Sequence, residues 1–323
     1  MNNSQILDIL SNTDTYVSGQ SLAEQLGVSR QAVWKGVKAL KDKGYVIQSV
    51  PNRGYKLEAT PDYLNAHAIK SMLHTNIIGS ELVVLNSIGS TNDYLKTLGN
   101  NGCKSGAVAA AREQVSGKGR LGRAWQSKKD ENIMFSFLLR PKIAPCEVAA
   151  ITPLAGLAVC KALREFTGLG CKIKWPNDII CGNKKLTGIL TEMSAEFDAV
   201  EYIVTGIGIN VDQKTFPEGI AHKATSLLLE TGRRFDKNKL LACILNQLEH
   251  EFLYSNLELS KTALEEYSEL CATIGRSVTF TRGGSPISGM AVGVAENGEL
   301  KVKISDGTIC LVNAGEVTVQ GIY

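Results

Sequence analysis

A glycine-rich stretch with three cations is the first candidate for chemistry. Residues 117–123, Gly-Lys-Gly-Arg-Leu-Gly-Arg, hold three glycines and three basic side chains. Backbone N–H groups of a glycine-rich loop, with cations beside them, are suited to binding a phosphate. A P-loop is excluded because Lys118 is followed by Gly119 and not by Ser or Thr. The spacing also fits a dinucleotide fingerprint, which is weak alone. The loop therefore predicts a bound anion of undetermined identity.

Three further segments place polar side chains next to apolar runs. Residues 89–92, Gly-Ser-Thr-Asn, offer hydroxyls and an amide to a neutral ligand. Residues 174–179, Lys-Trp-Pro-Asn-Asp-Ile, form a turn that presents Asn177 and Asp178. Lys185 begins the apolar stretch that follows. Each segment also has a simpler explanation as a helix cap, a turn or a solvated lysine. Their meaning therefore depends on whether the fold brings them together.

Apolar patterning predicts an α+β fold with one mixed sheet in residues 66–272. Strands are expected at 81–85, 107–111, 133–140, 171–175, 185–192 and 201–211. Helices are expected at 147–166, 237–254 and 260–271. Strands that alternate with helices of this length predict a sheet with helices packed on it. The three polar segments and the glycine-rich loop all fall in this region.

Two smaller domains flank the central one. In residues 1–60, three short amphipathic helices precede a hairpin, and Ser18 and Ser29 are suited to cap the second and third helices. This order predicts a winged helix-turn-helix, with 58–65 as the linker. In residues 275–323, short alternating segments are joined by Asn-Gly and Asp-Gly turns, which predicts a small β-barrel.

The amino-terminal domain is predicted to bind DNA. Between residues 28 and 57 there are seven Lys or Arg against one acid, although the whole chain carries only +3. In helix-turn-helix geometry the first turns of the last helix reach base edges. The predicted DNA-binding residues are Ser18, Gly19, Ser29, Arg30, Gln31, Trp34 and Lys35. The alternative is a protein-interaction module whose basic face is solvated.

Composition limits the remaining classes of protein. The eight cysteines form no C-x-x-C and the four histidines no H-x-x-x-H, so no metal site is predicted and free thiols are expected. No secretion signal is found, and no apolar run was judged to approach the roughly 20 residues of a bilayer span. We therefore expect a cytoplasmic protein without a membrane partner.

Taken together, the motifs resemble those of biotin–protein ligases. Gly-Ser-Thr-Asn, the basic glycine-rich loop, Lys-Trp-Pro-Asn-Asp, Lys-Leu-x-Gly-Ile-Leu-x-Glu and Gly-Ile-Gly-Ile-Asn occur in that family's order and spacing. With both flanking domains, the resemblance extends over essentially the whole length of the bifunctional bacterial form, a biotin ligase that also represses the biotin operon. It implies an amino-terminal winged helix-turn-helix, a class II synthetase-like central domain and an SH3-like carboxyl-terminal barrel.

The resemblance also implies roles for individual residues. The anion of the loop becomes the phosphate of biotinyl-5′-AMP, and Lys118 stands where the family often has Arg, which keeps the charge but loses the bidentate fork. Asp178 is expected to orient Lys185 or a metal. Implied catalytic residues are Lys185, Arg120 and Lys118. Implied biotin-binding residues are Ser90, Thr91, Asn92, Gln114, Lys118, Gly119, Arg120 and Lys185. Implied ATP- and adenylate-binding residues are Arg120, Arg123, Asn177, Asp178 and Asn210.

Substrates and partners follow from the same resemblance. ATP with Mg²⁺ and biotin are the implied cofactor and substrate, and the acceptor is a lysine of a biotin carboxyl carrier protein of acetyl-CoA carboxylase. Operator DNA of biotin biosynthesis or transport genes is the other partner, bound by a homodimer that carries the adenylate. Two alternatives remain: a regulator that binds biotin without turning it over, and a lipoate-type ligase. Lys185 and the complete basic loop favour the biotin ligase.

Overall fold

The chain folds into two compact units, Met1–Tyr63 and Leu64–Tyr323. The structure is a computed structural model that describes residues 3–59, 61–196, 199–254, 257–313 and 317–323.

The first unit is a winged helix-turn-helix, as predicted. It comprises helices α1 (Asn3–Ser11), α2 (Gly19–Leu26) and α3 (Arg30–Asp42) and the antiparallel strands β1 (Val46–Val50) and β2 (Gly54–Ala59). The hydroxyls of Ser18 and Ser29 accept hydrogen bonds from Ser21 N and Ala32 N at 3.0 and 3.2 Å, so both serines cap as expected. Side chains from all three helices and β1 form a core of the unit's own, including Ile6, Leu22, Val33, Leu40 and Ile47.

The second unit is built on a seven-stranded mixed sheet. Its strands are β3 (Leu82–Leu85), β4 (Val108–Ala111), β5 (Ile133–Leu139), β6 (Lys172–Lys174), β7 (Asp178–Cys181), β8 (Lys184–Glu196) and β9 (Ala199–Ile209). The strand order is β3-β4-β5-β9-β8-β7-β6, with β3 and β4 parallel and every other pair antiparallel. The expectation of one mixed sheet is confirmed.

Helices cover this sheet and complete its core. They are α4 (Ala66–Lys70), α5 (Thr91–Asn100), α6 (Ile151–Thr167), α7 (Glu218–Ala221), α8 (Leu227–Thr231), α9 (Lys237–Tyr254) and α10 (Lys261–Leu270), with 3₁₀ turns at Arg120–Gly122 and Pro145–Ala150. Helix α6 packs against α9 and buries most of its residues. Phe137 of β5 meets Phe252 of α9 edge-on, with ring centroids 5.6 Å apart.

One helical stretch is long and apolar enough to cross a membrane. Residues Pro145–Thr167 have a mean hydropathy of 1.6 over the most apolar window. The expectation that no apolar run approaches this length was therefore wrong. About 67% of that window is buried inside the protein, as in the core helix of a globular fold.

The end of the second unit is a smaller antiparallel sheet. Its strands are β10 (Ser277–Arg282), β11 (Ser285–Val294), β12 (Leu300–Ile304), β13 (Ile309–Val312) and β14 (Val317–Val319), in the order β13-β12-β11-β10-β14. Gly298 and Gly307 have φ of +85° and +89° in the two predicted turns. Among residues 277–313 and 317–319 no ladder joins β13 to β14, so closure into a barrel stays a prediction.

Two of the central-domain elements that were not predicted are β7 and α5. The strand expected at 171–175 ends at Lys174, and the chain turns through the cis Trp175–Pro176 bond and returns as β7. Asp178, expected in a turn, is the first residue of β7. Helix α5 follows directly on Ser90, and its ten largely polar residues are too few to stand out as a helix in the sequence. Both elements carry residues of the predicted site.

Candidate active site

Two adjoining cavities in the second unit contain the predicted site residues. One is lined by the start of α5, the glycine-rich loop, β8 and β9. The other, of about 400 Å³, is lined by the loop, the start of β7, residues 216–224 and Tyr323. Both cavities are lined by Gly119, Arg120, Trp125, Asn177 and Lys185. The fold therefore brings the separate polar motifs into one site.

The first cavity has a floor of buried hydroxyl and amide groups. Thr91 donates to Gln114 Oε1 from its backbone N at 2.7 Å and from its hydroxyl at 3.0 Å. Asn92 Nδ2 donates to Glu192 Oε2 at 2.7 Å, and its Oδ1 accepts from Ser136 Oγ at 2.6 Å. Ser90 is the N-cap residue of α5, yet its hydroxyl makes no cap hydrogen bond. This neutral polar surface suits a ligand that carries its own donors and acceptors.

Glycines on β8 and β9 make room for a tryptophan that was not predicted as a site residue. A methyl group on Gly208 would lie 2.5 Å from Trp125 Cε2, and one on Gly206 would lie 2.1 Å from Asn92 Oδ1. The intervening Ile207 faces the core, which explains the alternating Gly-Ile-Gly-Ile pattern. Trp125 also lies over Gly188. The first cavity, which Trp125 lines, has a volume of about 50 Å³.

The glycine-rich loop folds into a small hairpin that spreads its cations. Gly119 N donates to Arg123 O at 2.7 Å, and Arg123 lines the second cavity. Arg120 Nη1 donates to Asn177 Oδ1 at 2.8 Å, at the boundary between the cavities. Lys118 lines the first cavity, with its Nζ 2.7 Å from a carboxylate oxygen of Asp93. The three cations therefore point to different parts of the site.

Asp93 is a partner of the loop that sequence reasoning missed. Burial alone would raise the pKa of Asp93, but hydrogen bonds from Lys118 and Lys96 outweigh it and lower that pKa. Lys96 in turn lies 2.7 Å from Glu192, the carboxylate that holds Asn92. A chain of charges therefore runs from the loop to the floor of the first cavity. The sequence did contain a clue to this partner, because an acidic residue, Asp93, directly follows the Gly-Ser-Thr-Asn motif.

Lys185 stands where the two cavities meet. Its Nζ lies 2.6 Å from Asp178 Oδ1 and 5.9 Å from the centre of the Trp125 ring. This contact with Asp178 is a close ion pair whose angles do not make a hydrogen bond, and Oδ1 has no hydrogen-bond partner among the described residues. The other carboxylate oxygen accepts a hydrogen bond from the hydroxyl of Tyr323. Asp178 is thus held from two sides, and its role in orienting Lys185 stays a prediction.

The second cavity is electropositive. The pKa of Lys174, next to this cavity, is lowered to about 8, mainly by burial; Asp178 opposes this shift, and the charges of Lys185, Lys223 and Arg123 add to it. Asp178 is the one acid among the residues that line the cavity. A surplus of cations around a single carboxylate suits a phosphate-bearing ligand.

The side chain of Asn210 is buried and hydrogen-bonded to the protein backbone. It is 4% exposed, its Nδ2 donates to Thr225 O at 2.9 Å, and it lines the second cavity. Lys185 N donates to Lys223 O at 2.7 Å, so the segment after residue 222 is fixed to β8 and to the end of β9. Asn210 therefore positions one wall of the cavity predicted for the nucleotide.

The residues predicted to bind DNA lie in the first unit. Gly19 is the first residue of α2 and is partly buried. Side chains at the start of α3 point to solvent, with Trp34 53% exposed and Lys38 Nζ 5.6 Å from its ring centre. Of the residues predicted to bind DNA, Arg30, Gln31, Trp34 and Lys35 are exposed on α3.

The described residues hold no group of three or more His, Cys, Asp or Glu side chains arranged for a metal ion. All eight cysteines are free thiols, five of them buried.

Comparison with known proteins gives the same three-part organisation. A model of an HTH domain matches residues 2–56, the biotin/lipoate A/B protein ligase family matches 84–210, and the biotin protein ligase C terminal domain matches 273–319. The bifunctional ligase/repressor BirA of Bacillus subtilis is 34% identical over 297 residues, which cover 90% of each chain. That of Escherichia coli is 31% identical over 317 residues, 98% of this chain and 96% of the other. This chain belongs to the BirA family.

A solved structure supports this BirA family assignment for the second unit. The biotin protein ligase of Aquifex aeolicus, in complex with biotin and ATP, is 30% identical with a TM-score of 0.64. The match covers 75% of this chain and 99% of that one. The resemblance stated from the sequence motifs is confirmed: this BirA family member has the amino-terminal HTH domain, the central ligase domain and the carboxyl-terminal domain of its relatives.

Proposed function

We propose that this chain is a biotin–protein ligase that activates biotin with ATP and transfers it to a lysine of a biotin carboxyl carrier protein of acetyl-CoA carboxylase. The observation that carries the proposal is the Lys185 ammonium at the junction of two cavities. The neutral polar floor of the first cavity suits biotin's ureido ring, and the electropositive second cavity suits a nucleotide. A carboxylate and a phosphate bound in them would meet at Lys185.

The first step joins two anions. An oxygen of the biotin carboxylate attacks the α-phosphorus of ATP, the bond to the bridging oxygen breaks, and pyrophosphate leaves, which forms biotinyl-5′-AMP. Such a step needs positioning and charge neutralisation more than a protein nucleophile. Lys185 bridges the carboxylate and the phosphate, and Arg120 holds phosphate oxygens. Lys118 exchanges Asp93 for phosphate at little cost, since about half of each side chain is exposed.

The nucleotide occupies the second cavity in this proposal. Arg123 and Lys185 face the phosphates, and the apolar side chains of Phe216 and Ile220 flank the base. Asn177 and Asn210 are the nearby amides for adenine. Biotin lies in the first cavity against Ser90, Thr91, Asn92 and Gln114.

Mg²⁺ enters this proposal as part of the ATP substrate. Proteins generally hold Mg²⁺ through one or two carboxylates together with substrate phosphates. Asp178 is the carboxylate of the second cavity, and its oxygens contact Lys185 and Tyr323. The phosphates would therefore supply most of the ion's ligands, and a bound ion would supply charge neutralisation for the pyrophosphate.

In the second step the amine of the acceptor lysine attacks the acyl carbon of the mixed anhydride. The bond between that carbon and the phosphate oxygen breaks, AMP leaves and the amine loses a proton. The reaction links biotin to the carrier protein through an amide.

The first unit supports a second role, as a repressor. We propose that biotinyl-5′-AMP is the corepressor, and that a homodimer of the adenylate-bound protein binds operator DNA of biotin genes in the cytoplasm. The exposed start of α3 and the local basic surplus support DNA binding. Two winged helices on a two-fold dimer match two half-sites.

Label transfer tests the ligase reaction against both alternatives. The protein is incubated with ATP, a purified biotin carboxyl carrier protein and labelled biotin or labelled lipoate. Labelled carrier that depends on ATP and biotin supports the ligase. Bound biotin with no labelled carrier would indicate a regulator without turnover, and transfer of lipoate alone a lipoate-type ligase.

A truncated chain tests the repressor role. Residues 64–323 form a compact unit of their own, so a chain without residues 1–63 is expected to keep the ligase reaction. It should no longer shift operator DNA in a gel. A truncated chain that still shifted the operator would contradict the assignment of DNA binding to the first unit.

A further inference from the structure

Tyr323 brings the end of the carboxyl-terminal sheet into the second cavity. Its side chain follows β14 and lines the cavity together with Asp178, Lys185 and Lys223. The hydroxyl of Tyr323 donates a hydrogen bond to Asp178 Oδ2, across 145 residues of sequence. A side chain from one sheet therefore completes a polar cluster on the other.

The hydrogen bond from Tyr323 gives Asp178 its direction. Lys185 Nζ lies 2.6 Å from Oδ1, but that oxygen has no hydrogen-bond partner among the described residues. An ion pair without hydrogen-bond angles fixes distance more than orientation, whereas a hydrogen bond fixes both. Tyr323 thus sets the plane of the carboxylate whose other oxygen faces the Lys185 ammonium.

The tyrosine ring is itself held by a cation. Lys174 Nζ lies 3.4 Å from the centre of the Tyr323 ring. Burial raises the pKa of Tyr323, and the negative charge of Asp178 raises it further, so the hydroxyl keeps its proton and remains a donor. Lys174 therefore holds the ring of Tyr323, and Asp178 holds its hydroxyl.

We propose that Tyr323 is a positioning residue for adenylate formation, which acts through Asp178 to hold the Lys185 ammonium where the two cavities meet. This inference rests on the proposed ligase reaction. In this proposal Tyr323 acts on the reacting carboxylate and phosphorus only through Asp178 and Lys185. Its effect is therefore expected on the rate of the chemical step and not on substrate affinity.

Tyr323→Phe tests the proposal, since it removes the hydroxyl and keeps the ring on Lys174. Biotin-dependent pyrophosphate release should show kcat lowered about 10-fold, within the roughly 100-fold that misplaced catalytic groups cost. KM for biotin and for ATP should stay within about two-fold. Tyr267→Phe is the matched control, because the Tyr267 hydroxyl is buried on α10 with no hydrogen-bond partner among the described residues. This control should match the unmutated protein.

A double-mutant cycle separates positioning from general destabilisation. If Tyr323 acts through Asp178, Tyr323→Phe should have no further effect on kcat in an Asp178→Ala protein. Independent effects that multiply in the double mutant would overturn the proposal. A raised KM for ATP at unchanged kcat would overturn it as well, because Tyr323 would then be a nucleotide contact.

The result for the unmutated protein distinguishes this inference from the proposed function. If the unmutated protein releases pyrophosphate with biotin and Tyr323→Phe does so equally fast, only the positioning role fails. If the unmutated protein releases none, the ligase reaction fails and the positioning role fails with it. A 10-fold loss in Tyr323→Phe that disappears in Asp178→Ala supports both.

Discussion

At the residue scale, Lys185 is the group on which the proposed chemistry depends most. It belongs to both cavities, and its ammonium is held beside Asp178. Lys185→Ala should lower the rate of adenylate formation at least about 100-fold, the usual order for losing one preorganised charge contact in a transition state. Biotin affinity should fall much less. Pyrophosphate release and calorimetric titration with biotin measure the two effects.

The neighbouring lysine supplies the control for this prediction. Lys184→Ala removes the same charge from an exposed position one residue earlier on β8. It should leave pyrophosphate release unchanged. Near-normal release by Lys185→Ala would remove Lys185 from the mechanism.

Lys174 gives the protein a stability that depends on pH. Its pKa is about 8 in the folded protein, below the roughly 10.4 of an unfolded chain. Between these values the unfolded state binds more protons, so Lys174's contribution to the free energy of unfolding rises with pH. Lys174→Gln removes this dependence. Urea unfolding at pH 7.5 and 9.5 should therefore show the unmutated protein gaining stability relative to the variant; parallel changes would contradict the lowered pKa.

At the element scale, the glycines of β8 and β9 determine what lies above them. Gly208→Ala would place a methyl group 2.5 Å from Trp125 Cε2 and displace the indole from the cavity. We expect biotin affinity to fall about 10-fold or more, since the loop that carries Trp125 has to shift. Gly293→Ala in β11, where the nearest atom outside the adjoining residues is 3.9 Å away, is the control. Calorimetric titration with biotin measures both variants, and equal affinities would show that the indole position is unimportant.

On helix α3, Arg30 is predicted to contact bases and Lys38 to contact phosphates. Arg30 lies in its exposed first turn, and Arg30→Ala should lower affinity for operator DNA by about 1–3 kcal/mol with less effect on scrambled DNA. Lys38→Ala should weaken binding to both DNAs and reduce the salt slope by about 1. Gel-shift titrations at several salt concentrations measure this difference. Identical behaviour of the two variants would refute the assignment.

Long, strongly apolar elements could be predicted from the sequence, and short ones could not. Helix α9 was predicted at its observed bounds because its apolar side chains extend over 18 residues, about five turns. Strand β7 was missed because four residues after a turn are too few to show alternation. The contact of Tyr323 with Asp178 could not be predicted, since nothing local in either segment encodes a pairing between two sheets. The polar motifs of the site were found because their residue types are unusual beside apolar strands.

At the scale of the whole molecule, ligand binding in one unit is predicted to change DNA binding by the other. We expect the adenylate to neutralise the cations of the loop 117–123 and to restrict its backbone, so that a second copy binding there would have less entropy to lose. Biotin plus ATP should then tighten both self-association and operator binding by about 5- to 150-fold, the usual range of such coupling. Sedimentation and gel-shift titrations with and without ligand measure both effects.

A variant that cannot form the adenylate controls this prediction. Lys185→Ala with biotin and ATP should behave like protein without ligand, while added biotinyl-5′-AMP should restore tighter association. Equal dimerisation and equal operator affinity in the unmutated protein under both conditions would leave a ligase beside an uncoupled DNA-binding domain.

Trp125 narrows the first cavity to about 50 Å³, far below the roughly 300–1,000 Å³ of a typical small-molecule pocket. In the proposed reaction, we expect the indole to move aside as biotin enters and to return to its place over Gly208 once biotin is bound. The rate of biotin capture should then level off at high biotin concentration, at the rate of this opening. With the indole back in place, water should be excluded from the mixed anhydride, which would lengthen its lifetime until an acceptor binds.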